Sequence, residues 1–65
     1  MTITVNGQRR EVAEGASVLA LLEDVKLAPR NVAVELNRRL LKGDRYGEPL
    51  KDGDEVEIVT FVGGG

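Results

Sequence analysis

The size and composition of the chain exclude most kinds of catalysis. It has 65 residues, no histidine, no cysteine and a formal net charge of −2. At this length folding buries only about 60% of the surface that the unfolded chain exposes, so we expect one small domain. Without histidine and cysteine, the common general base, zinc ligands and thiol nucleophile are missing. Ser17 is the only serine, and no base is present to complete a catalytic triad with it, so an enzyme is not expected.

The distribution of charge argues against nucleic acid and membranes as partners. The 9 basic and 11 acidic residues are interspersed, without the basic block that marks a nucleic-acid-binding arm. The apolar runs are too short to cross a bilayer, and the first residues do not resemble a secretion signal. Because the absence of cysteine also suits a reducing compartment, we predict a cytoplasmic domain.

The first predicted element is a β-hairpin. Thr2 to Val5 alternates polar and apolar residues, as a half-buried strand does. Asn6-Gly7 follows and favours a type I′ turn, which needs positive φ at both of its central positions. The returning strand is expected over Gln8 to Val12, with Val12 as its inward residue, and Glu14-Gly15 turns the chain again.

A single helix is predicted over Val18 to Lys26. Ser17 is its expected N-cap, because a serine hydroxyl can accept a hydrogen bond from a free backbone N–H of the first turn. Pro29 lies beyond the helix and fits a stop. One apolar stripe is expected to face the core, formed by Val18, Leu21, Leu22 and Val25.

The second half of the chain is predicted to hold three more strands, over Val32 to Asn37, Arg39 to Lys42 and Glu55 to Phe61. Asn37-Arg38 and Lys51 to Asp54 are the expected turns between them. The stretch Gly43 to Pro49 is irregular, and we expect Tyr46 to cover one end of the core. The strand from Glu55 has the clearest alternation of the five.

This order of elements predicts an α+β fold in which one helix packs across a mixed four- to five-stranded sheet. The arrangement is the ubiquitin-like β-grasp, whose first and last strands pair in parallel at the centre of the sheet. Residues 1–62 are expected to form this domain, and residues 63–65 a flexible C-terminal glycine tail.

The last predicted strand places apolar residues on both of its faces. Val56 and Ile58 share one face, whereas Val59 and Phe61 share the other with two glutamates. The glutamates mark the second face as the solvent side, so we expect Val56 and Ile58 in the core. Val59 and Phe61, followed by Val62, are therefore candidates for a patch that binds a partner protein. The alternative is that the back of the sheet is merely partly apolar, as many protein surfaces are.

The glycine run Gly63-Gly64-Gly65 is the candidate reactive segment. Three glycines reach roughly 10 Å beyond a sheet and carry no side chain that would clash in a narrow channel. The ionised carboxylate of Gly65 is a poor electrophile, but ATP can convert it to a reactive acyl-adenylate. A sulfur nucleophile then leaves a thiocarboxylate on Gly65. The alternatives are a frayed terminus, an expression scar or the start of a truncated linker.

From the hairpin to the last residue, the sequence resembles the ThiS family, the sulfur carrier proteins of thiamine biosynthesis. Short segments along the whole chain carry the resemblance: Val5-Asn6-Gly7, Glu14-Gly15, Val18 to Leu22, Val34 to Asn37, Leu50 to Val59 and Gly64-Gly65. The full length and the abrupt end on glycine are its most specific parts, since other β-grasp domains share the Asp52-Gly53-Asp54 strand. Gly63 departs from the family pattern as a third glycine where two suffice.

The resemblance implies a protein co-substrate that binds no cofactor or metal itself. An adenylyltransferase related to ubiquitin-activating enzymes would use ATP to adenylate the carboxylate of Gly65. Sulfur from a donor such as a cysteine desulfurase would replace AMP, and the thiocarboxylate would deliver that sulfur to thiazole synthase. In this scheme Gly65 carries the chemistry and Gly64 keeps the approach narrow. The alternation of the last strand adds Val59 and Phe61 as the residues expected to bind this adenylyltransferase.

Two other interpretations stay open at the level of sequence. The small subunit of molybdopterin synthase has the same fold, glycine end and thiocarboxylate, although those chains are usually longer, and other glycine-ended carriers serve transfer-RNA thiolation or cysteine synthesis. The TGS domain, a β-grasp module linked to RNA or regulatory ligands, is similar to the segment Asn37 to Thr60. That module is normally embedded in a longer chain and needs no free glycine terminus.

Overall fold

The fold is a five-stranded sheet with one α-helix, seen in a computed structural model that describes residues 1–61. The strands are β1 (Thr2–Val5), β2 (Gln8–Glu11), β3 (Val32–Leu36), β4 (Arg39–Leu41) and β5 (Glu55–Thr60). Helix α1 covers Val18–Asp24, and short 3₁₀ turns cover Pro29–Asn31 and Gly43–Arg45. The order of strands and helix is the predicted one.

Strand β5 lies at the centre of the sheet, whose order is β2-β1-β5-β3-β4. It runs parallel to β1, with Thr4 opposite Glu55 and Val5 opposite Val56, and antiparallel to β3. The other two pairs, β1 with β2 and β3 with β4, are antiparallel hairpins. The parallel pairing of the first and last strands confirms the predicted β-grasp fold, with five strands.

The core lies between α1 and the inner face of the sheet. Leu22 and Val34 are completely buried, and Tyr46 is a buried member of the core. Full burial of such an aliphatic side chain contributes roughly 1.5–3 kcal/mol. The buried hydrophobic residues are Ile3, Val18, Leu21, Leu22, Val32, Val34, Leu41, Tyr46, Leu50, Val56 and Ile58. The predicted stripe of the helix is thus confirmed at three positions, and its fourth residue, Val25, packs half-buried against the core.

The helix begins as predicted and ends two residues earlier. The hydroxyl of Ser17 accepts a hydrogen bond from the N–H of Ala20 at 3.2 Å, which confirms the N-cap. Lys26, predicted to be helical, has a φ of 61°. Its N–H donates to the carbonyl of Glu23 at 3.1 Å, and the N–H of Leu27 donates to the carbonyl of Leu22 at 2.8 Å. These two bonds form a Schellman motif, which closes a helix without the glycine that usually marks it in a sequence.

Strands β2 to β5 each end one residue before the predicted position. Asn37 has a φ of 52° in the turn after β3, which takes it out of the extended conformation. At the ends of β2 and β5, backbone hydrogen bonding to the neighbouring chain segment continues for one more residue. The N–H of Val12 donates to the carbonyl of Met1 at 2.9 Å, and the N–H of Phe61 donates to Asn31 at 2.8 Å. Val12 is half-buried and packs against the core, so its inward direction is confirmed.

Candidate functional site: strand β5 and its outer face

Strand β5 presents its two faces as predicted. Val56 and Ile58 are buried, at 1% and 9% exposure, whereas Val59 and Phe61 expose 61% and 57% of their surfaces. The two exposed side chains therefore lie on the outer face of the sheet, opposite the helix. The other predicted site residues, Val62 and the glycines at positions 63, 64 and 65, lie outside the described residues, as does the predicted boundary between domain and tail.

The side chain of Asn6 holds the middle of β5 from the side of β1. Its Oδ1 accepts a hydrogen bond from the N–H of Ile58 at 2.7 Å, and its Nδ2 donates to the carbonyl of Ile58 at 3.2 Å. The backbone N–H of Asn6 also donates to Val56 at 2.9 Å. The chain turns away at Asn6 and Gly7, both at positive φ, so β1 has no further residue to offer β5. The amide side chain replaces the missing peptide group and keeps β5 paired beyond the end of β1.

Asn37 holds the start of β5 from the opposite side. Its Oδ1 accepts from the N–H of Glu55 at 2.9 Å, and its own N–H donates to the carbonyl of Glu55 at 2.7 Å. Its Nδ2 donates to Oδ1 of Asp54 at 3.0 Å. The sequence predicted Asn6 as a turn residue and Asn37 as the junction of a strand and a turn, where asparagine is common because it tolerates left-handed backbone conformations. Nothing in a single sequence shows that their side chains reach a strand that follows much later.

The acidic turn before β5 fixes the beginning of β1. Oδ1 of Asp52 accepts from the N–H of Thr2 at 2.8 Å, and the N–H of Gly53 donates to the carbonyl of Thr2 at 2.8 Å. Oδ2 of Asp54 accepts from the N–H of Lys51 at 2.8 Å, which closes the turn on itself. The predicted turn is therefore confirmed. Its two carboxylates are engaged in backbone hydrogen bonds and belong to the framework that positions β5.

The loop before this turn carries an exposed ion pair. Arg45 donates from Nε and Nη2 to the two carboxylate oxygens of Glu48, at 3.1 and 3.0 Å. This hydrogen bonding lowers the pKa of Glu48 and raises the pKa of Arg45. Because both groups are exposed to solvent, such a pair contributes little to stability.

Neither a metal centre nor a membrane span occurs within residues 1–61. In that part of the chain, no three acidic, histidine or cysteine side chains are grouped so that they could hold an ion. None of its helices has the length and apolar character needed to cross a bilayer.

Comparison with known proteins decides the family. The sequence model of the ThiS family matches residues 3–65. The chain belongs to the ThiS family. A crystal structure of the thiamine biosynthesis protein ThiS from Geobacter metallireducens is 42% identical, with a TM-score of 0.80 over all of both chains. The fold and the family predicted from sequence are thus confirmed.

The similar proteins differ widely in length. The sulfur carrier protein ThiS of Thermus thermophilus is 36% identical over 97% of the chain and 98% of its own length. A thiazole synthase of Paramagnetospirillum magneticum is 38% identical over the whole chain, which amounts to 20% of that protein. The chain spans about a fifth of the length of this thiazole synthase and of a second one from Magnetococcus marinus. The names of the Thermus and Geobacter proteins agree with the predicted function, a sulfur carrier of thiamine biosynthesis.

Proposed function

We propose that this chain carries sulfur for the thiazole ring of thiamine as a thiocarboxylate on Gly65. The observation that supports this most directly is the ThiS family match, which runs through the glycine run to residue 65. A carrier of this kind needs a stable domain and an accessible carboxylate. The β-grasp domain supplies the first, and its central strand β5 shortly precedes the glycines in the sequence.

The proposed chemistry takes place in two steps at the carboxyl group of Gly65. A carboxylate oxygen of Gly65 attacks the α-phosphorus of ATP, and pyrophosphate leaves. A sulfur nucleophile at the oxidation level of sulfide then attacks the carbonyl carbon, which forms the C–S bond and breaks the bond to AMP. Glycine suits this position because no Cβ hinders the attack on its carbonyl.

The chain acts in this scheme as a protein co-substrate. The adenylating partner binds ATP, and other partners supply the sulfur and the thiols, since the carrier has neither histidine nor cysteine. The expected partners are an adenylyltransferase related to ubiquitin-activating enzymes, a donor such as a cysteine desulfurase, and thiazole synthase. The two thiazole synthases that contain a similar segment support the last of these, because domains that work together are often joined in one chain.

We propose that the adenylating enzyme binds the outer face of β5. Val59 and Phe61 are exposed apolar groups that immediately precede Val62 and the glycine run. A partner that holds this patch keeps the tail directed into its own active site. Such positioning makes the reaction effectively unimolecular, which is one of the larger contributions to catalysis.

The proposal predicts that Gly65 is required for sulfur transfer and not for folding. Gly65→Val should leave the urea midpoint unchanged and abolish sulfur transfer, because its branched Cβ hinders attack at the carbonyl carbon. A reconstituted assay with ATP, the adenylating enzyme, a sulfur donor and thiazole synthase measures the transfer. Glu23→Gln, at an exposed position of α1, is the control and should leave both the urea midpoint and sulfur transfer unchanged. Transfer near the wild-type rate by Gly65→Val would contradict the mechanism.

A further inference from the structure

Three of the four large hydrophobic side chains exposed within residues 1–61 share the outer face of the sheet. Leu40, Val59 and Phe61 expose 70%, 61% and 57% of their surfaces, whereas Leu19, at 44%, lies on α1. Single exposed apolar side chains are normal, but a group on one face indicates an interaction site. Leu40 was not part of the patch predicted from sequence. It lies on β4, on the far side of β3 from Val59.

The strand register places two glutamates among these apolar side chains. Glu57 of β5 lies opposite Glu35 of β3, and Glu35 lies opposite Leu40 of β4. The next row of the same face holds Val59 opposite Ala33. Directly opposite residues have Cβ atoms about 4.5–5.5 Å apart, and successive rows lie roughly 7 Å apart. The two carboxylates are therefore bordered by Leu40 on one side and Val59 on the other.

Glu35 and Glu57 lie directly opposite each other, and neither forms an ion pair within residues 1–61. Like charges directly opposite each other destabilise a sheet. The ion pairs in that part of the chain involve other residues, and the one on β5 joins Glu55 to Arg38 at 3.8 Å. Lys42, just beyond the end of β4, forms an ion pair with neither glutamate. A cation from a partner would relieve a repulsion that the isolated domain retains.

We propose that this outer face, formed by Leu40, Val59 and Phe61 around Glu35 and Glu57, binds an arginine or lysine that the adenylating enzyme presents among apolar side chains. The identity of the partner rests on the proposed function, whereas the chemistry of the surface does not. Arginine fits best, because its planar guanidinium can form two hydrogen bonds with a carboxylate. Phosphate groups of nucleic acids or lipids are repelled by the two carboxylates, so a protein is the occupant that fits.

Calorimetric titration of the full chain with the adenylating enzyme of its host tests the charge requirement. The double variant E35Q/E57Q removes the charges with little change in shape, and Glu23→Gln, at an exposed position of α1, is the matched control. We expect the Kd of the double variant to rise roughly tenfold at low salt, and this loss to shrink above about 0.5 M salt, where screening is strong. The control should change the Kd by less than about twofold.

The same titration tests the apolar requirement with a second matched pair. Leu40→Ala removes an apolar group from the proposed surface, and Leu19→Ala removes one from the helix. We expect the Kd to rise roughly tenfold for Leu40→Ala and less than about twofold for Leu19→Ala, as for residues inside and outside an interface. Equal effects of the two leucine variants would overturn the proposed surface.

The stability of the free chain gives a readout that needs no partner. E57Q removes the repulsion between the two glutamates, so the urea midpoint should rise above that of the wild type. Glu23→Gln should leave the midpoint unchanged. A lower midpoint for E57Q would mean that the pair is not repulsive, and the argument for a partner cation would fail.

The outcomes separate this inference from the proposed function. Unchanged affinity of E35Q/E57Q and Leu40→Ala, in a chain that still becomes thiocarboxylated, would overturn the inference alone. The expected losses of affinity in a chain that never becomes thiocarboxylated would overturn the proposed function and leave the binding surface. Losses seen with thiazole synthase and not with the adenylating enzyme would overturn the assignment of the partner.

Discussion

The two faces of strand β5 carry similar apolar side chains, but only one face is covered by the protein itself. Val56 and Ile58 are buried under α1, whereas Val59 and Phe61 face solvent. Burial under the helix contributes roughly 1.5–3 kcal/mol for such a side chain, and exposure contributes almost nothing. Folding therefore accounts for the inner pair and leaves the outer pair unexplained. The comparison shows that an apolar side chain which does not stabilise the domain is a candidate for binding.

The largest effect on stability is expected from a substitution on the inner face of β5. Ile58→Ala should lower the free energy of unfolding by roughly 2–4 kcal/mol, because it removes buried methyl groups and leaves a cavity. Urea denaturation followed by circular dichroism measures this loss. A loss below about 0.5 kcal/mol would show that the inner face of β5 contributes little, and the contrast between the faces would disappear.

A smaller effect is expected at Asn6, whose side chain forms hydrogen bonds with the backbone of β5 at Ile58. Asn6→Ala should cost roughly 1–2 kcal/mol, since it leaves the N–H and the carbonyl of Ile58 without their partner and places alanine at positive φ. Asn6→Asp keeps the acceptor for the N–H and should cost less. Hydrogen exchange at the amide of Ile58 is the direct measurement. Equal protection of that amide in the wild type and Asn6→Ala would contradict the role of the side chain.

The smallest effect on stability is expected on the outer face. Phe61→Asp should lower the free energy of unfolding by less than about 1 kcal/mol, as surface changes usually do. Binding to the adenylating enzyme should nevertheless weaken, because a charge replaces an exposed apolar group in the proposed surface. Thermal denaturation and titration of the same preparation compare the two effects. A variant that unfolds would contradict the claim that Phe61 contributes little to stability. A variant that binds as tightly as the wild type would contradict the claim that Phe61 contributes to binding.

The sequence was sufficient for the parts of the fold that depend on local pattern. Alternation predicted which faces of β5 are buried, and Ser17 predicted the start of the helix, because both signals lie within a few neighbouring residues. The end of the helix was predicted two residues too late. The left-handed position after the helix is occupied by Lys26, and the glycine that usually signals such an end in a sequence is absent. The turns at Asn6 and Asn37 were predicted correctly, but the hydrogen bonds from their side chains to β5 were not.

The rest depended on contacts between distant segments. The hydrogen bonds from Asn6 to Ile58 join residues 52 positions apart, which no local pattern reveals. Likewise, Leu40 entered the outer surface only through the register of β4 on β3 and β5. The chemistry at Gly65 was favoured over a frayed end or a linker only by the family resemblance, because a run of glycines is by itself also typical of a linker.

The central claim is that the carboxylate of Gly65 becomes a thiocarboxylate, and intact mass spectrometry of the protein from its native host tests it most directly. We predict a species about 16 Da heavier than the unmodified chain, from exchange of one oxygen for sulfur, that is absent from the Gly65→Val variant. Fragmentation should place the added mass on the last residue. A native protein that carries no such species while the cells are making thiamine, or one that carries the added mass at another residue, would contradict the account.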